Sequence, residues 1–214
     1  MIKRAMFIIL ILLLLTSVTT QAMHESALSE ALIERALFVN RKMVIYQNDL
    51  NLNDAMTLKQ VNERVNAIFK YAREYNHLYS DADYIRVAIN VYSIVETETR
   101  FVNYISLDDG MSFGVSSIRW DTIEFIKKLL NENFENNVQS RNKLRRNTDE
   151  QIRLMTYYYY YLLIRNNGDF NASAMQYNIG HNGIVEDHKW RNYTFLVKGR
   201  VDYLYSKFNI KGRL

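Results

Sequence analysis

Cysteine and proline are both absent from this 214-residue chain, and glycine is down to seven residues. Without cysteine there can be no disulfide, so any folded part must stand on its apolar core alone. Thiolate-ligated metal sites are excluded as well. The lack of proline, which averages about 5% of residues, together with scarce glycine favours a chain that is mostly helical. Net charge is also small. With 27 basic and 23 acidic residues the net charge is +4, too little for the basic footprint of a nucleic-acid-binding protein.

What is present begins with an address. Lys3 and Arg4 precede the apolar run AMFIILILLLL, which is followed by polar TSVTTQ and Ala22. This is the pattern of a secretory signal peptide, with Thr20 and Ala22 flanking a cut before Met23. The run is shorter than the roughly 20 residues a membrane-crossing helix needs. An uncleaved anchor is the alternative it leaves open. Export to the periplasm or cell envelope is expected. The route cannot be lipid anchoring, which would need a cysteine just after the signal. Removing Lys3 and Arg4 leaves 25 basic against 23 acidic residues, or +2, across the 192 residues from 23 to 214. That length suits one domain, and the weak positive charge leans toward anionic envelope polymers.

Apolar spacing predicts helices over about 24–48, 57–75, 83–105, 120–130, 148–166, 171–178 and 189–207. Asp83 and its neighbours in SDAD supply N-cap candidates, and Thr148 with Gln151 forms a capping-box pattern. Between the third and fourth helices lies SLDDGMSFGVSSIRW, a turn-rich stretch suited to a short hairpin or to loops. NENFENNVQSRNKLRRN reads as polar and exposed. The expected fold class is mainly α, a single helical domain with an N-terminal helical extension over residues 23–79 and a main domain over 80–214.

The third helix carries a question. Tyr84, Val87, Val91, Ile94, Phe101 and Ile105 form an apolar stripe, and Glu98 fills its gap. At 100° per residue Val91 and Glu98 lie within about 20° of each other. Glu96 lies about 160° from Glu98, beside Arg86 and Arg100, and is expected in solvent. A carboxylate on the apolar face is costly unless paired or protonated. A protonated Glu can donate a proton to a leaving oxygen. A buried salt bridge is the plainer alternative.

Three short elements bear on that choice. ETRF at 98–101 resembles the Glu-Ser-x-Phe element of the soluble-lytic-transglycosylase domain family, which has a lysozyme-like α+β fold. SFGVSSI at 112–118 is similar to that family's Ser-x-Gly-x-x-Gln-Ile element. AMQYNIG at 174–180 resembles its Ala-x-x-Tyr-Asn-x-Gly element. Order and spacing agree over residues 80 to 205. The resemblance implies a peptidoglycan lytic transglycosylase with Glu98 as the catalytic residue. Ser112, Phe113, Gly114, Ser117, Tyr177 and Asn178 would contact substrate, the glycan strands of peptidoglycan. It implies no cofactor and no metal.

Such an enzyme cuts the β-1,4 bond between N-acetylmuramic acid and N-acetylglucosamine and closes a 1,6-anhydro ring, so that one carboxylate suffices. Most glycosidases use two; Asp108 and Asp109 are the nearest second candidates here. The chain departs from the family at Ser117, where Gln is usual. Hence the competing expectation, a catalytically impaired lysozyme-like protein that binds peptidoglycan or serves as an envelope scaffold.

Other signals read plainly. The five tyrosines at 157–161 point all round a helix, so at most two can line one groove. Trp120 and Trp190 are expected in the core. His24, His77, His181 and His188 include no metal-binding pair at helical spacing. RNKLRR at 141–146 reads as a solvated basic loop, with contact to an anionic glycan or lipid the sharper alternative.

Overall fold

The computed structural model describes residues 23–40, 56–105, 111–180 and 191–208. The helices among them are α1 (23–40), α2 (Leu58–Glu74), α3 (Tyr84–Glu98), α4 (Trp120–Leu129), α5 (Val138–Arg145), α6 (Thr148–Arg165), α7 (Phe170–Ile179) and α8 (Arg191–Lys207). A single 3₁₀ turn over Tyr75–Leu78 follows α2. A small antiparallel sheet, β1 (Tyr104–Ile105), β2 (Ser112–Gly114) and β3 (Ile118–Arg119), runs in the order β1-β2-β3. The protein is mainly α.

Helix starts follow local chemistry. Thr57 and Gln60 form a reciprocal capping box at α2. Asp83 caps α3 through the Ile85 N–H at 3.0 Å, and Asp169 caps α7 through Asn171 and Ala172. The expected box at Thr148 and Gln151 is not formed. Asn147 caps α6 through the Glu150 N–H instead, which frees Gln151 for the site described below.

α3 is the buried axis of the fold. It packs against α2, α6, α7 and α8, and the residues from Val87 to Glu96 are all buried. Leu28, Leu32 and Ala36 of α1 join the same core, as do Val61, Val65 and Ile68 of α2. The Tyr92 hydroxyl donates to the Leu32 carbonyl at 3.0 Å. The two N-terminal helices therefore share one core with the rest of the described chain.

Three expectations are corrected here. The third helix stops at Glu98 rather than reaching 105: Thr99 turns its hydroxyl back to the Val95 carbonyl at 3.2 Å and across to the Val115 carbonyl at 2.5 Å. Arg100 and Phe101 then take left-handed φ of 49° and 70°, and buried Arg64 donates to the Phe101 carbonyl. RNKLRR is largely helix rather than loop, because α5 buries Leu144.

The third correction is Glu96. It is 2% exposed, not solvated. Arg35 of α1 forks onto both its oxygens at 2.6 Å each, and Arg200 of α8 donates at 3.0 Å. A helical wheel separates one buried face from one exposed face. α3 is covered on its second face by α1 and α8, and their arginines supply the charge that makes burial tolerable. Among the described residues, no helix is long and apolar enough to cross a membrane.

Candidate functional site

Glu98 is the last residue of α3, and its carboxyl opens onto a cleft of about 220 Å³. The lining comes from Glu98, from Ser112, Ser117, Ile118, Arg119 and Thr122 around the small sheet, from Tyr158 of α6, and from Tyr177, Asn178 and Gly180 at the end of α7. Glu98 is the only carboxylate in this lining among the described residues. Burial pushes its pKa up, while Tyr193 and Asn178 pull in the opposite direction. The negative end of α3 adds to the upward push. The Asn178 amide donates to Glu98 Oε1 at 3.3 Å. The Tyr193 hydroxyl of α8 is buried without a hydrogen bond of ordinary geometry, yet lies near enough to favour the ionised carboxyl.

The wall opposite is a tight turn pinned on three sides. Gly114, at φ +82°, brings the backbone against Gln151, whose Oε1 would lie 2.3 Å from any added Cβ. Gln151 is fully buried. It accepts from the Val115 N–H at 3.0 Å and donates to the Leu144 carbonyl at 2.9 Å and the Arg145 carbonyl at 3.2 Å. Thr99 holds the Val115 carbonyl, and the Tyr177 hydroxyl donates to the Ser116 carbonyl at 3.0 Å. Ser117 leaves this turn at φ +50° and lines the cleft.

The residues singled out from the sequence thus separate. Glu98, Ser112, Ser117, Tyr177 and Asn178 meet at one cleft. Phe113 and Gly114 are outside its lining. Phe113 is buried and stacks on Trp120, with ring centroids 3.8 Å apart. Gly114 serves the turn. Tyr177 lines the cleft with its ring, but its hydroxyl is committed to Ser116 rather than to Glu98. Asp108, Asp109, His181, His188 and Trp190 lie outside the described residues.

Sequence reasoning missed Arg119, Thr122 and Tyr193, and did not say which tyrosine of the run would face the groove. Tyr158 is that tyrosine. It is 1% exposed, its hydroxyl is buried without a partner, and its ring lies 5.6 Å from that of Tyr177. Helical spacing carried a usable signal for it: Tyr158 and Tyr161 share a face of α6. No local signal marked Tyr193. Among the described residues, no group of three His, Asp or Glu is placed to hold a metal ion. Comparison with protein-family models, with curated proteins and with solved structures finds no match for this chain.

Proposed function

We propose that this chain is an exported peptidoglycan lytic transglycosylase with a lysozyme-like fold, in which Glu98 is both acid and base. One observation carries the reading: a single carboxylate, made hard to ionise by burial, lines a cleft beside an amide donor. The resemblance of 98–101, 112–118 and 174–180 to the transglycosylase elements supports it, since Glu98, Ser117, Tyr177 and Asn178 share that cleft.

The chemistry needs one carboxyl. Protonated Glu98 gives its proton to the glycosidic oxygen as the C1–O4 bond breaks and N-acetylglucosamine leaves. The carboxylate then removes the proton from the C6 hydroxyl of N-acetylmuramic acid, and O6 closes on C1. No water is consumed and the acid is regenerated. A hydrolase acting by the commonest routes would need a second carboxylate flanking the bond. Asn178 holds the carboxyl in place, which keeps proton and leaving oxygen aligned.

A second reading, peptidoglycan binding without cleavage, has Ser117 in its favour. Ser117 lines the cleft where the resemblance calls for Gln, and its shorter side chain cannot span the same hydrogen bonds.

Incubation with purified sacculi, followed by mass analysis of the released muropeptides, tests both. Cleavage leaves products with anhydro ends, one water lighter than hydrolytic ends. Glu98→Gln is expected to abolish them. Products with hydrolytic ends, or undiminished cleavage by Glu98→Gln, would remove the assignment. Sacculus binding with no products at all would favour the second reading.

A further inference from the structure

Several basic side chains flanking the core have found a carboxylate. Arg35 and Arg200 share Glu96, while Lys127 and Arg153 share Glu132 and Glu150. Arg119, at the cleft, is held by both oxygens of Asp121 at 3.2 Å each. Two arginines on α5 differ. Arg141 and Arg145, one turn apart, both lie over the indole of Trp120, at 5.1 and 5.4 Å from the ring centroid. Neither makes an ion pair among the described residues. Arg141 Nε donates to the Asn136 amide oxygen at 2.5 Å, and Arg145 Nη1 reaches the Asn142 amide oxygen at 3.4 Å. Arg145 Nε is buried with no acceptor. The stretch from 138 to 148 contains no acidic residue, while Lys143 and Arg146 add two further positive charges.

Such a pair is costly to maintain without an anion. Like charges one helical turn apart repel, and a buried N–H without an acceptor costs about 1–3 kcal/mol. The indole face offsets part of this through cation–π attraction. It also fixes both guanidinium planes in advance, which suits an oxyanion presented by a ligand. The position is informative: Trp120 directly follows Arg119, which lines the cleft.

We infer that Arg141 and Arg145 form a carboxylate-binding subsite for the peptides carried by a glycan strand lying in the cleft. This rests on the proposed function, because those peptides hang from the N-acetylmuramic acid residues that Glu98 would act upon. Their free carboxylates are oxyanions that such a strand would carry. The subsite makes the protein a reader of peptide-bearing strands rather than of bare glycan.

The test uses the full chain carrying Glu98→Gln, so that strands are not cut during measurement. Binding is measured by calorimetry at low salt to three soluble ligands: glycan strands with free peptide carboxylates, the same strands after chemical amidation of those carboxylates, and strands stripped of peptide. The free-carboxylate strands are expected to bind about tenfold more tightly than the other two, as one charge-assisted contact predicts. Replacing both arginines, by Arg141→Gln with Arg145→Gln, is expected to erase that difference. Lys143→Gln, which removes a charge from the same helix away from the indole, is expected to keep it. Equal affinity for free and amidated strands overturns the inference, and this comparison needs neither arginine variant. So does a difference that survives the double substitution. Cleavage by the unsubstituted chain with no carboxylate preference sinks this inference alone. Failure to bind or cut any strand sinks the proposed function with it.

Discussion

At position 98 a carboxyl is kept where ionisation is disfavoured, and the consequences can be worked out with their sign. Burial raises the pKa of Glu98 above its ordinary value of about 4.3. Between the ordinary and the raised value, the native protein holds a proton that the unfolded chain has released. Stability from this group therefore falls as pH rises across that window, and the loss is complete above it. Glu98→Gln removes the penalty. Thermal melts are expected to show the variant at least as stable as the parent near neutrality, with the gap closing below the ordinary Glu value. Cleavage by the parent is expected to persist above the pH at which an ordinary Glu ionises, and to fall as pH rises through the raised pKa. A pH–rate profile checks this. Glu96, two residues away, behaves in the opposite manner. Glu96→Gln leaves Arg35 and Arg200 without their shared counter-charge. The expected cost is about 3 kcal/mol, at the low end for breaking a buried pair because both guanidinium groups keep some contact with water. Urea denaturation measures it. The two glutamates are thus separable by experiment: Glu98→Gln is expected to remove cleavage and spare the fold, Glu96→Gln to weaken the fold.

Among the elements, the turn from β2 to β3 shows how far local sequence reaches. Its glycine and its serines stand out in SFGVSSI, and the tight backbone at Gly114 follows from them. What pins the turn does not. Gln151, Thr99 and Tyr177 come from α6, the end of α3 and α7, and in sequence Gln151 reads as a helix cap. Gly114→Ala would place a methyl group against Gln151 at a φ that side chains rarely adopt. It is expected to cost about 2 kcal/mol in backbone strain and to lower glycan binding as Ser117 shifts. Chemical denaturation and a binding titration of the same variant check both effects. α5 is illegible in the sequence for a related reason. A helix with one buried residue, Leu144, has too little apolar periodicity to be read. Spacing overstates the length of α3, because Phe101 continues the apolar stripe yet reaches the core through a left-handed turn.

At the scale of the whole molecule, α1 is part of the core. Leu28 and Leu32 are almost completely enclosed, and Arg35 on the same helix closes over Glu96. Leu32→Ala is expected to destabilise the protein by about 3 kcal/mol, the usual range for emptying a buried leucine site, a large share of the 5–15 kcal/mol that holds a typical domain together. Thermal unfolding measures it, and a loss under about 1 kcal/mol would mean that α1 is only loosely attached. The sequence by itself determined that the chain is helical, where most helices begin, and that Glu98 sits on the apolar stripe of α3. Those properties depend on composition, capping and spacing within one or two turns of the chain. Tertiary structure alone decided that Glu96 is buried, that Phe113 belongs to the core, that Tyr158 and Tyr193 join the site, and that two arginines share one indole. Each of these depends on groups from separate elements, such as Arg35 and Arg200 at 61 and 104 residues from Glu96. Periodicity within a helix can mark a face as covered or open, but it does not say which distant side chain does the covering.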